Sequence, residues 1–133
     1  MARVMICDDD WATANQLVAA LRAGKHEATT CQHPMDVLRE ATGGHLDLIA
    51  FGLDMPGFGG ASAIEVIQEL APDVLLIGLH NRPSEVMRAT AHTHLAAVLP
   101  RPVAIDTFMY AVNRALEARA LRAASSVRST FRL

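Results

Sequence analysis

Short apolar runs alternate with segments of helical spacing along the 133-residue chain, and this alternation is the feature that most constrains its fold. Parallel strands need crossover connections, so five successive strand–helix units predict an α/β fold, with one parallel sheet and helices on both of its faces. The predicted strands cover residues 4–7, 27–31, 46–51, 74–79 and 95–99. A helix should follow each strand, the fourth over residues 84–91 and the fifth from residue 105 to beyond residue 122.

Composition excludes a disordered chain and a membrane-spanning one. Hydrophobic residues make up 51% of the chain, and the longest apolar runs stay far short of the ~20 residues that a membrane helix needs. The amino terminus lacks the apolar stretch of a secretory signal, so we expect a cytoplasmic protein. We expect Cys7 and Cys31, the only cysteines, to be buried free thiols rather than a disulfide or a metal site.

Charge is distributed unevenly along the chain. Residues 1–113 carry 7 basic and 13 acidic side chains, whereas residues 114–133 carry 5 arginines and Glu117 alone. The acidic body argues against nucleic-acid binding by this domain, because duplex affinity depends on Lys and Arg neutralising phosphates. We expect residues 1–122 to form the domain, and residues 123–133 to form a flexible basic tail or the start of a linker to an output domain.

Functional residues of a parallel sheet are expected at the carboxyl ends of its strands. Asp8, Asp9 and Asp10 directly follow the first strand. Three adjacent carboxylates repel one another, and a hard cation such as Mg²⁺ would offset that repulsion. A solvated acidic turn, in which Asp10 caps the next helix, explains the same residues without a metal.

The third strand leads into the segment GLDMPGFGG at residues 52–60, which resembles the response-regulator receiver domain, the CheY-like family. The acidic cluster after the first strand and Pro100-Arg101-Pro102 after the fifth agree with this resemblance, which covers about residues 3–120. It implies a flavodoxin-like sheet of five strands in the order 2-1-3-4-5, with five helices on both faces. It also implies two-component signalling, in which a histidine kinase phosphorylates an aspartate after the third strand, with Mg²⁺ at the acidic cluster.

The chain departs from this family at the position of the phosphorylated aspartate, which is Gly52 here. Glycine has no side chain to attack phosphorus or to bind a metal ion. The usual lysine is replaced by Arg101, which keeps the charge and changes its geometry. Of the residues that implement the family's chemistry, Asp8 and Asp9 remain at the metal-binding positions.

The two switch positions of the family have also changed. The expected hydroxyl residue falls near Leu79, with Gly78 and His80 as its neighbours, and none of the three has a hydroxyl group. The aromatic residue expected in the fifth strand corresponds to Val98. The loss of these groups together with the acceptor predicts a degenerate receiver, or pseudo-receiver.

We therefore expect a module that is not an enzyme, requires no cofactor and works by phosphorylation-independent protein interaction or dimerisation. The partners implied are a histidine kinase, an output protein or a second copy of the chain, with no membrane. The expected contact face combines the fourth helix, the fifth strand and the fifth helix. Its candidate residues are Val86, Met87, Val98, Phe108 and Val112.

Two alternatives stay open. One is a phosphoryl-accepting receiver that uses Asp54 or Asp10, with Mg²⁺ at the acidic cluster and Arg101 stabilising charge. The other is a small-anion sensor in the vacated pocket formed by Gly52, Leu79 and Arg101. We interpret His80, His92 and His94 as loop or surface histidines, because no set of four metal ligands accompanies them.

Overall fold

Five parallel strands form one sheet at the centre of the fold. The computed structural model describes residues 1–31, 34–53, 60–81 and 95–131. The strands are β1 (Arg3–Cys7), β2 (Glu27–Cys31), β3 (Leu48–Gly52), β4 (Leu75–His80) and β5 (Ala97–Pro100). They pair in parallel in the order β2-β1-β3-β4-β5, which confirms the α/β fold and the strand order predicted from the sequence.

Helices cover both faces of this sheet. Within the described ranges they are α1 (Trp11–Ala23), α2 (Pro34–Thr42), α3 (Gly60–Leu70) and α4 (Ile105–Phe131). The structure thus shows four of the five predicted helices, and the helix expected over residues 84–91 lies outside the described residues. None of the described helices combines the length and the apolar composition needed to cross a lipid bilayer.

Two apolar clusters, one on each face of the sheet, hold the layers together. On one face, the leucines of α1 pack with Phe108 and Val112 of α4. On the other face, Val37 of α2 packs with the isoleucines of α3. All five residues of β3 are buried, as expected for a central parallel strand that is covered on both sides.

The terminal helix α4 is longer than the sheet that it covers. It contains 27 residues and is therefore about 40 Å long. Over residues 105–125, for which burial is described, the last buried position is Ala115, residues 120–125 are exposed, and Leu121 is 66% exposed. The helix continues through Phe131, as expected for a helix that extends beyond residue 122, and the assignment of residues 123–133 to a tail or to the start of a linker stays a prediction. Alanine and arginine, which dominate residues 118–124, are among the strongest helix formers.

An ion-pair network ties α4 to the start of β3. Asp47 accepts hydrogen bonds from the backbone N–H of Arg3 at 2.8 Å and from Nη2 of Arg119 at 3.0 Å. Nη1 of Arg119 also donates to the backbone carbonyl of Asp47 at 3.3 Å. Partial burial acts to raise the pKa of Asp47, but the Arg3 amide and the Arg119 guanidinium outweigh it, so the pKa lies below its usual value.

Candidate functional site at the carboxyl ends of the strands

The carboxyl ends of the strands bring the candidate residues to one edge of the sheet. Asp8 follows β1, Gly52 ends β3 and Arg101 follows β5. Strand pairing places Gly52 beside Leu79, and the backbone N–H of Arg101 donates to the carbonyl of His80 at 2.8 Å. The residues selected from the sequence by strand position therefore do meet at this edge.

Asp8 and Arg101 form a buried ion pair with two points of contact. Nη2 of Arg101 lies 2.9 Å from Oδ1 of Asp8, and Nε lies 3.2 Å from Oδ2. The side chain of Asp8 is fully buried and that of Arg101 is 10% exposed. Bidentate contacts of this kind are among the stronger hydrogen bonds in proteins. The sequence proposed Asp8 as a metal ligand and Arg101 as a phosphate partner, and the structure joins the two residues to each other.

Burial raises the pKa of the Asp8 carboxyl, because an ionised group loses its hydration in the interior. The backbone N–H of Asp10, which donates to Oδ1 of Asp8 at 3.0 Å, opposes this shift, as does the guanidinium of Arg101. Both oxygens of Asp8 therefore have donors. The positive charge of Arg101 offsets much of the cost of burying this carboxylate.

The other two aspartates of the triplet have different environments. Asp10 is the N-cap of α1, where Oδ1 accepts from the N–H of Thr13 at 3.4 Å and Oδ2 from its hydroxyl at 2.8 Å. These hydrogen bonds lower the pKa of Asp10. The capping role considered for Asp10 is confirmed. Asp9 is exposed to solvent.

Strands β3 and β4 bring no hydroxyl or carboxylate to this edge. Gly52 is buried, and Leu79 is fully buried in the apolar core. A Cβ atom at Gly78 would lie 2.9 Å from a methyl group of Leu53 and from one of Leu95. Leucine side chains thus occupy the space beside β4 and explain the glycine at position 78, which the sequence alone left unexplained.

His80 lies partly exposed at the rim of the site. Its Nδ1 atom is buried and has no hydrogen-bond partner among the described residues. Within residues 1–31, 34–53, 60–81 and 95–131, no group of three or more His, Cys, Asp or Glu side chains is arranged to hold a metal ion. His92, His94 and the alternative acceptor Asp54 lie outside the described residues.

The two cysteines lie side by side below the site. Cys7 and Cys31 are register partners in β1 and β2, both are buried and outside any disulfide, and their Sγ atoms are 3.5 Å apart. The hydrogen bond that the Cys7 thiol shares with Cys31, together with burial, raises the pKa of Cys7 far above its usual value, because both favour the protonated form. The expectation of buried free thiols is confirmed. Their contact across neighbouring strands was not visible in the sequence.

The structure corrects part of the expected contact face. Phe108 and Val112 are fully buried in the core between α4 and the sheet, so their side chains belong to no surface that a partner can reach. Val98 is half-buried and packs against the opposite core. Val86 and Met87 lie outside the described residues. The helical spacing predicted α4 correctly, but not which side of it meets the sheet.

Comparisons with known proteins agree with this fold. Residues 4–113 match the response regulator receiver domain family. The chain is 29% identical over 111 residues to a response regulator receiver protein of Anaeromyxobacter sp. (strain Fw109-5), covering 82% of this chain and 46% of that protein. The chain therefore spans about half the length of this curated relative.

Solved receiver structures share the fold. One is a receiver domain protein (CheY-like) from Methanospirillum hungatei JF-1, with a TM-score of 0.85, 18% identity and coverage of 92% of this chain and 98% of that one. Another is the beryllofluoride-activated NtrC4 receiver domain dimer, with a TM-score of 0.83, 22% identity and coverage of 90% and 99%. The match over residues 4–113 shows that this chain belongs to the response regulator receiver family. Residues 4–113 are therefore a receiver domain of the kind used in two-component signalling.

Receivers typically bind Mg²⁺ at the acceptor site, and the described residues fit this ion poorly. Gly52 has no carboxylate to offer. Both oxygens of Asp8 already accept hydrogen bonds, from Arg101 and from the backbone of Asp10. Asp9 is the remaining solvent-facing carboxylate at the expected metal positions, and Mg²⁺ requires a near-octahedral set of oxygen ligands.

Proposed function

We propose that this chain is an atypical receiver that signals through protein contacts, without phosphorylation at the end of β3. The glycine at position 52 is the observation that carries the proposal, because a backbone without a side chain has no group to attack phosphorus. The pair formed by Asp8 and Arg101 supports it. The two residues that would handle a metal ion and a phosphoryl group in an active receiver bind each other here.

The alternatives receive less support from the described residues. The carboxylate of Asp10 caps α1 through Thr13 and is already engaged. Arg101 binds Asp8 through two of its nitrogen atoms, which weakens the case for a small-anion site beside Gly52. Asp54 stays the alternative phosphoryl acceptor, and the first experiment below tests it directly.

The edge formed by β5 and α4 is the proposed contact surface. Tyr110 is 68% exposed, and Arg114 and Arg122 are exposed further along α4. A groove runs between this helix and the starts of β4 and β5, with a floor that includes Val74, Ala111 and Ala115. A floor of small apolar side chains with an arginine rim suits a partner surface that presents acidic and apolar groups.

We propose a second copy of this chain as the occupant of this surface. The acidic body of one copy complements the arginines of α4 in the other, since residues 1–113 carry 13 acidic and 7 basic side chains. The NtrC4 receiver, which has the same fold, is a dimer in its beryllofluoride-activated form. A histidine kinase or an output protein is the other class of partner that family membership suggests.

Intact mass spectrometry after incubation with acetyl phosphate and Mg²⁺ tests the absence of phosphorylation. We expect no phosphoryl adduct on the native chain. The matched control is the double variant Gly52→Asp with Arg101→Lys, which restores the acceptor and the lysine and should gain one labile adduct. An adduct on the native chain would contradict the proposal, and its mapping would begin with Asp54 and Asp10.

Sedimentation equilibrium tests the proposed dimer. We expect self-association of the native chain to be the same with and without acetyl phosphate. Arg114→Glu should weaken it, whereas Arg39→Glu reverses the charge of an exposed arginine on α2, away from the groove, and should not. A chain that stays monomeric at all concentrations would rule out the dimer and leave a kinase or output protein as the partner.

A further inference from the structure

We infer that the guanidinium of Arg101 is the resident cation of this site, standing where a divalent metal ion binds in metal-dependent receivers, so that this chain folds and works without Mg²⁺. The inference rests on the proposed function, because it assumes that the site has no phosphoryl group to stabilise. It deepens that proposal by assigning a role to the arginine that replaces the usual lysine.

Among the described residues of the site, the buried charges of Asp8 and Arg101 balance each other. Asp8 contributes one negative charge at a fully buried position, and Arg101 contributes one positive charge beside it. Gly52 adds no charge, and Asp9 faces solvent. A divalent cation at Asp8 would leave excess positive charge in the interior and repel the guanidinium, which makes its binding unfavourable.

The ligand atoms are occupied as well. Oδ1 of Asp8 accepts from Nη2 of Arg101 and from the N–H of Asp10, and Oδ2 accepts from Nε of Arg101. Mg²⁺ gives up its water reluctantly and binds oxygen at about 2.0–2.1 Å. It could reach Asp8 only by displacing the guanidinium, and position 52 supplies no second carboxylate to offset that loss.

Arginine suits this role better than lysine would. Its planar fork contacts both oxygens of one carboxylate at once, whereas a lysine ammonium is a point charge that leaves one oxygen for another ligand. The backbone of Arg101 is held by its hydrogen bond to the His80 carbonyl. The side chain crosses from there to Asp8. The arginine at position 101 and the glycine at position 52 are thus consistent with each other. Arg101 supplies the positive charge that a metal ion would bring, and Gly52 lacks the carboxylate that would bind one.

Metal titration of the whole native chain tests the inference. Trp11 is the only tryptophan, follows Asp10 directly and is 45% exposed, so its fluorescence reports on the acidic cluster. We expect neither Trp11 fluorescence nor the melting temperature to change saturably when MgCl₂ or MnCl₂ is added in the millimolar range. A saturable change in either signal overturns the inference.

Arg101→Ala tests the same inference in the opposite direction. This variant leaves Asp8 without a counter-ion, so we expect a lower melting temperature in EDTA and a rise in melting temperature with Mg²⁺ or Mn²⁺. Arg119→Ala is the matched control, because it removes an arginine from Asp47 on the other side of the domain and should show no metal-dependent rise. A folded Arg101→Ala chain with no such rise overturns the inference.

If Arg101→Ala does not fold even with metal present, Arg101→Lys replaces it. Lysine keeps the charge but contacts fewer Asp8 oxygens, so we expect a weak Mn²⁺ response that the second change Asp8→Asn abolishes, and its absence overturns the inference. Failure of the proposed function gives a different result, a phosphoryl adduct on the native chain. A native chain that binds Mg²⁺ without forming an adduct overturns only the present inference.

Discussion

The guanidinium of Arg101 contacts both carboxylate oxygens of Asp8, at 2.9 and 3.2 Å, although the two residues are 93 positions apart in the sequence. The pair links the end of β1 to the residue that follows β5, two strands that are not neighbours in the sheet. Both side chains are withdrawn from solvent. Each therefore depends on the other for its charge to be tolerated in the interior.

Removing one partner of this pair should destabilise the fold strongly. Arg101→Ala leaves a buried carboxylate without its cation, and we expect the free energy of unfolding to fall by about 3–5 kcal/mol. Arg101→Lys keeps the charge and should lose less. Urea unfolding followed by circular dichroism measures both differences. If Arg101→Ala lowers the free energy of unfolding no more than the loss of an exposed ion pair does, water hydrates the Asp8 carboxylate in the variant and the prediction is wrong.

Asp47 should make the anchoring of α4 sensitive to acid. The pKa of Asp47 is lowered in the folded state, so its contribution to stability is present above the unfolded value of about 3.9 and is lost as the pH falls through the folded value. The side chains of Asp47 and Arg119 are 35% and 36% exposed, so solvent screens their interaction. We expect Asp47→Asn to lower the free energy of unfolding by only about 0.5–1 kcal/mol near neutral pH.

Unfolding of the native chain and of Asp47→Asn at neutral pH and at about pH 2 measures this contribution, and the difference should vanish in acid. Glu27→Gln is the control, because the Arg3–Glu27 pair has both side chains 54% exposed and should contribute almost nothing. A pH-independent difference for Asp47→Asn would mean that its hydrogen bonds, rather than its charge, anchor the helix.

Substitutions at two aromatic residues of α4 should distinguish an effect on folding from an effect on self-association. Phe108 is fully buried, and Phe108→Ala should lower the free energy of unfolding by about 3–5 kcal/mol. Tyr110 is 68% exposed, and Tyr110→Ala should change it by no more than about 0.5 kcal/mol while weakening self-association. Chemical unfolding and sedimentation on the same two variants give both quantities. Unchanged self-association in Tyr110→Ala would exclude this edge as the contact surface.

The buried thiols should make the fold sensitive to alkali. The pKa of Cys7 is higher in the folded state than the value of about 8.5 in the unfolded chain. The folded state therefore keeps its full stability below about pH 8.5 and loses stability as the pH rises above that value, because the unfolded chain releases its thiol proton first. The loss is up to about 1.4 kcal/mol for each pH unit. Cys7→Ala removes this titration, and its stability should decline less steeply with pH than that of the native chain. Equal slopes would contradict the shift.

A thiol-specific reagent provides an independent check on the cysteines. Cys7 and Cys31 are buried and hydrogen-bonded to each other, and the thiolate is the reactive form, so both should react only after unfolding. Rapid reaction in the native state would show that the pair is accessible. If the prediction holds, the rate of thiol modification rises with the urea concentration in proportion to the population of unfolded chain.

Local patterns in the amino-acid sequence were enough to predict the fold of this protein and the glycine at its expected acceptor position. Strand–helix alternation is a local pattern, and short parallel connections with one handedness leave few ways to assemble five such units. The family resemblance of residues 52–60 predicts that Gly52 stands at the acceptor position, and no tertiary contact can give a glycine a nucleophilic side chain. The candidate site residues could be selected from the sequence because the carboxyl ends of parallel strands lie at one edge of the sheet.

The pairing of those residues and the accessibility of their side chains depend on tertiary packing, which the sequence pattern does not reveal. The contact between Asp8 and Arg101 depends on side-chain reach across several strands, which no local pattern encodes. The same is true of the contact between Cys7 and Cys31, which follows from the register of β1 and β2. Periodicity predicts that a helix has an apolar side, but the packing of α4 against the sheet is what buries Phe108.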